Sequence, residues 1–255
     1  MLQDYVVVDL EMSGPRPAED SILEIGAIRV LNGHAETFQK VINPHKPIDP
    51  FIVRLTGITD SMARHGVDVD AAMEAFLEFA GDLPYIGHSI MNDYSFLKTW
   101  CEKKKRPYNV DAIDTFNIAK HFLPEMEKRS LSALSEYYGI TNMHAHRALD
   151  DARATQILYL SLATEFEDEN LDAAGLALFT PTRLVYTPKK PGAITSSQIR
   201  HIKKLSAHHK LPLPENLNDM TKSEASKYVD KIIREHGNMP KAPKEDSEVG
   251  HVWHF

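Results

Sequence analysis

The chain of 255 residues holds one cysteine, Cys101. A lone cysteine can form no intrachain disulfide and cannot build a thiolate zinc cluster, so the expected setting is a reducing, cytoplasmic one. Long apolar runs are also missing: Tyr5 to Val8 is stopped at once by Asp9, and no stretch has the length needed to cross a bilayer. The first residues lack a basic region followed by an apolar stretch, so neither a secretory signal nor a membrane partner is expected. A surplus of positive charge is absent as well, the net charge being −7. Its distribution is uneven. Residues 1–188 carry 17 Lys and Arg against 28 Asp and Glu, hence −11, whereas residues 189–237 carry 10 against 5, hence +5. An acidic body joined to a basic C-terminal piece suggests two jobs, although a basic excess on a small unit also suits a plain solvated surface.

Hydrophobic patterning divides the body into strands and helices. Tyr5-Val-Val-Val-Asp9 reads as a buried strand ending in a carboxylate, and residues 22–31 and 35–42 read as two more, joined by the hairpin signal Asn32-Gly33. Val69 to Ala80 has a helical apolar stripe, Tyr85 to His88 a short strand running into a loop, Asp93 to Lys105 a helix, and Asn109 to Ile113 another strand. Helices are predicted near 115–122 and 130–138, the second between Ser130 as cap and Gly139 as stop, and again over 147–166. A strand meander followed by alternating helices and strands predicts a mixed α/β sheet flanked by helices. Residues 169–192 lose periodicity and gather Pro181, Pro188, Pro191 and Gly192, which suggests a linker, with 176–184 packing back on the body. Residues 193–237 hold two capping-box spacings, Thr195 to Gln198 and Thr221 to Glu224, around an extended Lys210-Leu-Pro-Leu-Pro-Glu215. They form a small basic helix–extended–helix module, and 238–255 is expected to be a disordered tail.

Three stretches carry candidate chemistry. Asp9 and Glu11 lie two apart at a strand end, so both point to one face, where they repel unless a cation neutralises them. Oxygen ligands suit a hard divalent metal. His88 to Asp93 is the second stretch, and His146 to Asp151 the third. Each also has a structural explanation: Asp93 as a helix N-cap, His88 as a loop residue, Asp150 and Asp151 as acids favoured at a helix N-terminus. His144 competes with His146, and His251 and His254 in the tail are two further imidazoles.

Taken together, the stretches resemble one family. Val8-Asp9-Leu-Glu11-Met-Ser-Gly14, Gly87-His88-Ser-Ile-Met-Asn-Asp93-Tyr-Ser-Phe96-Leu97 and His146-x4-Asp151-Ala152 are similar, in order and spacing, to the three motifs of the DEDDh-type (DnaQ-like) 3′–5′ exonucleases. Leu23-Glu-Ile-Gly-Ala27, Leu55-Thr-Gly-Ile-Thr59, Asp114-Thr115 and Ser130-Leu-Ser-Ala-Leu134 resemble the family too, so that the likeness covers roughly residues 3–165. It departs from the pattern at Ser89, where asparagine is common, and at Asn92, where an aromatic residue is common. The resemblance implies an RNase H-like mixed five-stranded sheet in a domain spanning 1–168, like the proofreading exonuclease of DNA polymerase III.

It also implies that Asp9, Glu11, Asp93 and Asp151 bind two divalent ions, Mg2+ or Mn2+, and that His146 is the general base. The five-residue spacing to Asp151 selects His146 over His144. Such a metal pair clamps the phosphate and acidifies a bound water, and an imidazole with an ordinary pKa of about 6.5 accepts that proton near neutral pH. Leu10, Met12, Leu55, Thr56 and Ile58, with Phe96 as a weaker contact, are where the resemblance places the terminal nucleotide. The implied partner is a single-stranded 3′ end, DNA ahead of RNA, with association to a polymerase or repair complex. An exoribonuclease and a non-catalytic adaptor are the alternatives. The C-terminal module loosely resembles nucleic-acid-binding modules of the SAP type, with Lys203, Lys204, Lys210, Lys227 and Lys231 as candidate phosphate contacts.

Overall fold

A computed structural model describes residues 1–142, 145–168, 171–189 and 192–239. His144 and the tail positions His251 and His254 lie outside the described residues. The described residues fall into two compact units, one within 1–189 and the other within 192–239.

In the first unit, β1 (Tyr5–Met12), β2 (Ile22–Leu31) and β3 (His34–Val41) form an antiparallel meander. The turn between β2 and β3 is the two-residue Asn32-Gly33, with φ of 51° and 78°. Two successive positive φ values match the right-handed strand twist, as the Asn-Gly signal predicts. Three helices follow, α1 (Pro50–Thr56), α2 (Asp60–Arg64) and α3 (Val69–Ala80). Then β4 (Tyr85–Gly87) pairs parallel to β1, and α4 (Met91–Lys103) leads to β5 (Asp111–Asp114), parallel to β4. Next come α5 (Thr115–Phe122), α6 (Leu131–Tyr138), α7 (Ala148–Phe166), α8 (Ala173–Leu178) and β6 (Thr182–Arg183). The sheet order is β3-β2-β1-β4-β5-β6.

This is the mixed α/β sheet expected, with six strands among the described residues where five were expected. The sixth comes from the stretch read as a linker. Thr182 and Arg183 pair antiparallel with Ala112 and Asp111, and Phe179 is buried against α5 and α7, so apolar anchoring overrides the proline-rich composition. Helices α1 and α2 were also illegible; they are too short to show a period, and they bury Ile58 and Ala63 against Leu23 and Ile48.

Strand alternation sorts the core into two layers. Val6, Val8 and Leu10 face α3 and α4, packing with Phe76, Leu97 and Trp100. Tyr5 and Val7 face α7, packing with Leu149, Ala152, Leu158 and Tyr159. Burying each large side chain contributes roughly 1.5–3 kcal/mol. Asp9 and Glu11 continue the α7-facing series, so the same parity that builds the core aims both carboxylates at that helix.

In the second unit, α9 (Ser196–His209) and α10 (Lys222–His236) each begin with a complete capping box, Thr195 with Gln198 and Thr221 with Glu224. They enclose Ile202, Leu217, Met220 and Ala225. Lys203, Lys204, Lys210, Lys227 and Lys231 are all exposed.

Candidate active site

The geometry starts from a mismatch of strand lengths. β4 pairs with β1 only at Val6 and Val7, so β1 runs on past its neighbour. Val6 N–H bonds to Pro84 O, but Leu10 N–H, on the same edge, has no strand beside it. Asp93 supplies the acceptor, its Oδ1 lying 2.9 Å from Leu10 N. Asp93 is therefore not a helix N-cap. The helix begins at Met91 behind Ile90, and Asp93, in its first turn, is buried against the end of β1.

On the other face, α7 brings Asp151 over Asp9 and Glu11. Its approach is permitted by Gly26, which pairs with Asp9 across the β1–β2 ladder. A Cβ on Gly26 would lie 2.1 Å from the Ala148 carbonyl carbon and the Leu149 nitrogen. Glu24, opposite Glu11, then fastens the helix start. It is fully buried and takes Arg147 Nη2 at 2.7 Å, Arg147 Nε at 3.0 Å and Ala148 N–H at 3.1 Å. Glu24 thus serves as anion to a helix N-terminus and as counter-ion to Arg147.

Asp151 is held from both sides: Asn142 Nδ2 donates to Oδ1 at 2.5 Å, and His146 N–H to Oδ2 at 2.9 Å. His146 has φ of 66°, in the left-handed region, and its side chain is exposed. Ligand atoms of Glu11, His146 and Asp151 all lie within 4.8 Å of one another.

An open cavity of about 570 Å3 unites Asp9, Leu10, Glu11, His146 and Asp151 with Ser89, Asn92, Phe116 and the Arg129–Ser132 corner. His88 is more than a loop residue here. Its Nδ1 lies 2.9 Å from Thr115 Oγ1 and its Nε2 2.8 Å from Arg129 O, so the ring ties the end of β4 to the opposite cavity wall.

Crowding of carboxylates shows in their proton affinities. Burial, reinforced by Asp151, Glu24 and Asp93, pushes Glu11 up to about 8, against the pull of Arg147. Burial pushes Asp93 up to about 7, opposed by the N–H of Leu10. Asp9 is held well above the usual carboxylate range by burial and by Asp93, Asp151 and Glu11. Asp151 is raised by burial, with Asn142 and the His146 N–H opposing. Arg147 is turned to Glu24, so negative charge is in excess at the cavity.

Of the six residues expected to meet a terminal nucleotide, Leu10 borders this cavity. Met12 is half-buried and packs on the apolar layer beneath. Leu55 is exposed at the end of α1, while Thr56 is buried and accepts from Ile58 N–H, which leaves Ile58 inside the α1–α2 cluster. Phe96 is buried and borders a separate cavity of about 430 Å3 with Trp100 and Ile22. Residues not singled out from the sequence include Glu24, Phe116, Arg129, Ser132, Asn142 and Arg147. Glu24, Ser130 and Ser132 sat inside the supporting segments; Asn142 had no signal of its own.

Residues 6–159 match the model of a protein family described as exonuclease, the RNase T type. The chain belongs to the exonuclease family. It is 31% identical over 166 residues to the PolC-type DNA polymerase III of Caldanaerobacter subterraneus subsp. tengcongensis, a match spanning 65% of this chain and 12% of the polymerase. It is 31% identical over 176 residues to the Bacillus subtilis PolC-type enzyme, spanning 66% of this chain and again 12% of the relative. The chain therefore corresponds to a small part of those polymerases. The fold is shared with the nuclease domain of 3′hExo, a DEDDh family member bound to rAMP, at a TM-score of 0.53 and 17% identity over 67% of this chain and 95% of that one. No helix among the described residues is long and apolar enough to cross a membrane.

Proposed function

We propose that the chain hydrolyses the terminal phosphodiester at the 3′ end of single-stranded DNA and releases nucleoside 5′-monophosphates. The observation that carries this reading is the meeting of Asp9, Glu11 and Asp151 beside His146 at one open cavity, with Asp93 buried behind the end of β1 and close enough to raise the proton affinity of Asp9 and Glu11. The donor set fits a pair of hard divalent cations, since carboxylate oxygens in negative surplus suit Mg2+ or Mn2+. Bound there, such a pair supplies a Lewis acid for the phosphate and an acidified water. Asp9, Glu11, Asp93 and Asp151 would hold it. His146, exposed at the rim, accepts a proton from the attacking water, and its backbone N–H keeps Asp151 oriented.

Digestion of 5′-labelled single-stranded DNA, duplex DNA and RNA with Mg2+ or Mn2+ tests the reading. The expected product is a ladder shortened stepwise from the 3′ end, with DNA degraded faster than RNA; intact DNA with either metal would overturn it. An exoribonuclease reading draws support from the rAMP bound to the 3′hExo domain. Faster digestion of RNA would decide for it. The identity to polymerase III enzymes supports action beside a polymerase or in repair.

Metal affinity should depend on pH. Glu11, pushed up to about 8, and Asp93, pushed up to about 7, must shed protons before they ligate. Mn2+ should therefore bind more tightly as pH rises from 6 to 8, releasing protons as it does. Titration calorimetry in buffers of different ionisation heat reads that release directly. A pH-independent affinity would contradict the crowding of carboxylates at the cavity.

The basic module over 193–237 serves, on this reading, as a tether to the substrate through the exposed Lys203, Lys204, Lys210, Lys227 and Lys231. Removing 190–255 should weaken oligonucleotide binding and reduce the log–log salt slope by about 2–3, at roughly 0.7 per phosphate contact on a single strand. Cleavage of short oligonucleotides should persist. Equal salt slopes with and without the module would assign it to protein docking instead.

A further inference from the structure

Asn142 stands on the wall of the carboxylate cavity, shortly before the turn that carries His146. Its amide has a definite orientation. An ionised carboxylate only accepts hydrogen bonds, so the nitrogen faces Asp151 Oδ1, 2.5 Å away, and the carbonyl oxygen faces elsewhere. That oxygen, Oδ1, is buried and meets no hydrogen-bond donor among the described residues. A buried acceptor left alone costs on the order of 1–3 kcal/mol, and folded proteins retain few of them. Asp9, Glu11 and Asp151 border the same cavity in negative surplus, which suits a divalent cation, so what Asn142 offers the site is the bond from its Nδ2 to Asp151.

We propose that Asn142 is a positioning residue for the cation site. Its Nδ2, acting with the His146 N–H, fixes the Asp151 carboxylate in the orientation a cation would meet. Asn142 on Oδ1 and the His146 N–H on Oδ2 leave Asp151 one orientation, so the carboxylate need not reorganise when a cation arrives. The role rests on the metal-dependent reading of the site, but it belongs to a residue outside all three sequence motifs.

Mn2+ binding to the full chain without nucleic acid tests it, read from the electron paramagnetic resonance signal of free Mn2+. Asn142→Ala should weaken Mn2+ binding about 10–100-fold, the usual effect of losing a partner that orients a ligand, while the metal-free chain melts at nearly the same temperature. Asn142→Ser keeps a small donor towards Asp151 and should recover part of the affinity. If wild type binds Mn2+ and Asn142→Ala binds it within twofold, the assignment falls and the metal site stands. If both variants lose affinity equally, with their melting temperatures falling in parallel, Asn142 is merely a packing residue and the assignment falls too. If the wild type itself binds no Mn2+, the metal-dependent reading fails and takes this one with it.

Discussion

Glu11→Gln should abolish mononucleotide release, by at least about a thousandfold, and at the same time make the metal-free chain more stable at pH 8. The two effects share one origin. Glu11 is almost fully buried, faces Glu24 across the ladder, and lies beside Asp151 and Asp93. Its carboxyl is pushed up to about 8 in the folded chain, against about 4.3 for an unperturbed glutamate. Between those values the folded chain holds a proton that the unfolded chain has shed. Stability is therefore greatest at low pH and declines as pH rises towards 8, at up to about 1.4 kcal/mol per unit for each such group. An amide of the same shape cannot ionise and escapes that decline. The gain in melting temperature should thus be small at pH 5 and grow to several degrees at pH 8. Saturating Mn2+ should reverse the ranking, because the cation binds wild type more tightly and stabilises it by mass action. Scanning calorimetry at the two pH values, with and without Mn2+, reads every part of this. A Glu11→Gln chain that melts below wild type at pH 8 without metal would show that the cluster is not under electrostatic strain.

The second large effect is expected from a residue that touches no substrate. Gly26→Ala places a methyl group 2.1 Å from backbone atoms of Ala148 and Leu149, where no side chain can rotate away. Either β2 or the start of α7 must move by more than an ångström. The movement breaks the grip of Glu24 on Arg147 and on Ala148 N–H, leaving a fully buried carboxylate short of its partners. Overpacking and an uncompensated buried charge each cost several kcal/mol. A loss of about 4 kcal/mol or more is expected in denaturant unfolding, enough to leave much of the chain unfolded. Any folded remainder should have lost Mn2+ affinity, since Asp151 rides on the displaced turn. A loss below about 1 kcal/mol would mean that α7 can shift freely on the sheet.

The residues differ in how legible they were, and for physical reasons. Asp9 and Glu11 could be placed on one face because strand alternation is local: the parity of Tyr5 and Val7 carries through to them. The Asn32-Gly33 turn was equally plain, since both positions need positive φ. Asp93 was ambiguous. A carboxylate near a helix start serves as cap or as acceptor for a distant strand, and only the premature end of β4 decides which. Glu24 and Gly26 were seen as part of a familiar segment, but their tasks depend on where a helix more than a hundred residues later comes to rest. The sixth strand and α8 were hidden behind prolines, and Asn142 behind an ordinary loop composition.

The overrun of β1 past β4 has a bearing on timing. The acids near that strand end come from positions 9, 93 and 151, and the last is carried by a helix that packs on the sheet. A nascent chain still short of α7 holds the first two motifs without the third. On the proposed metal-dependent reading, such a chain lacks one of the four carboxylates, so the cation site is complete only once α7 is in place.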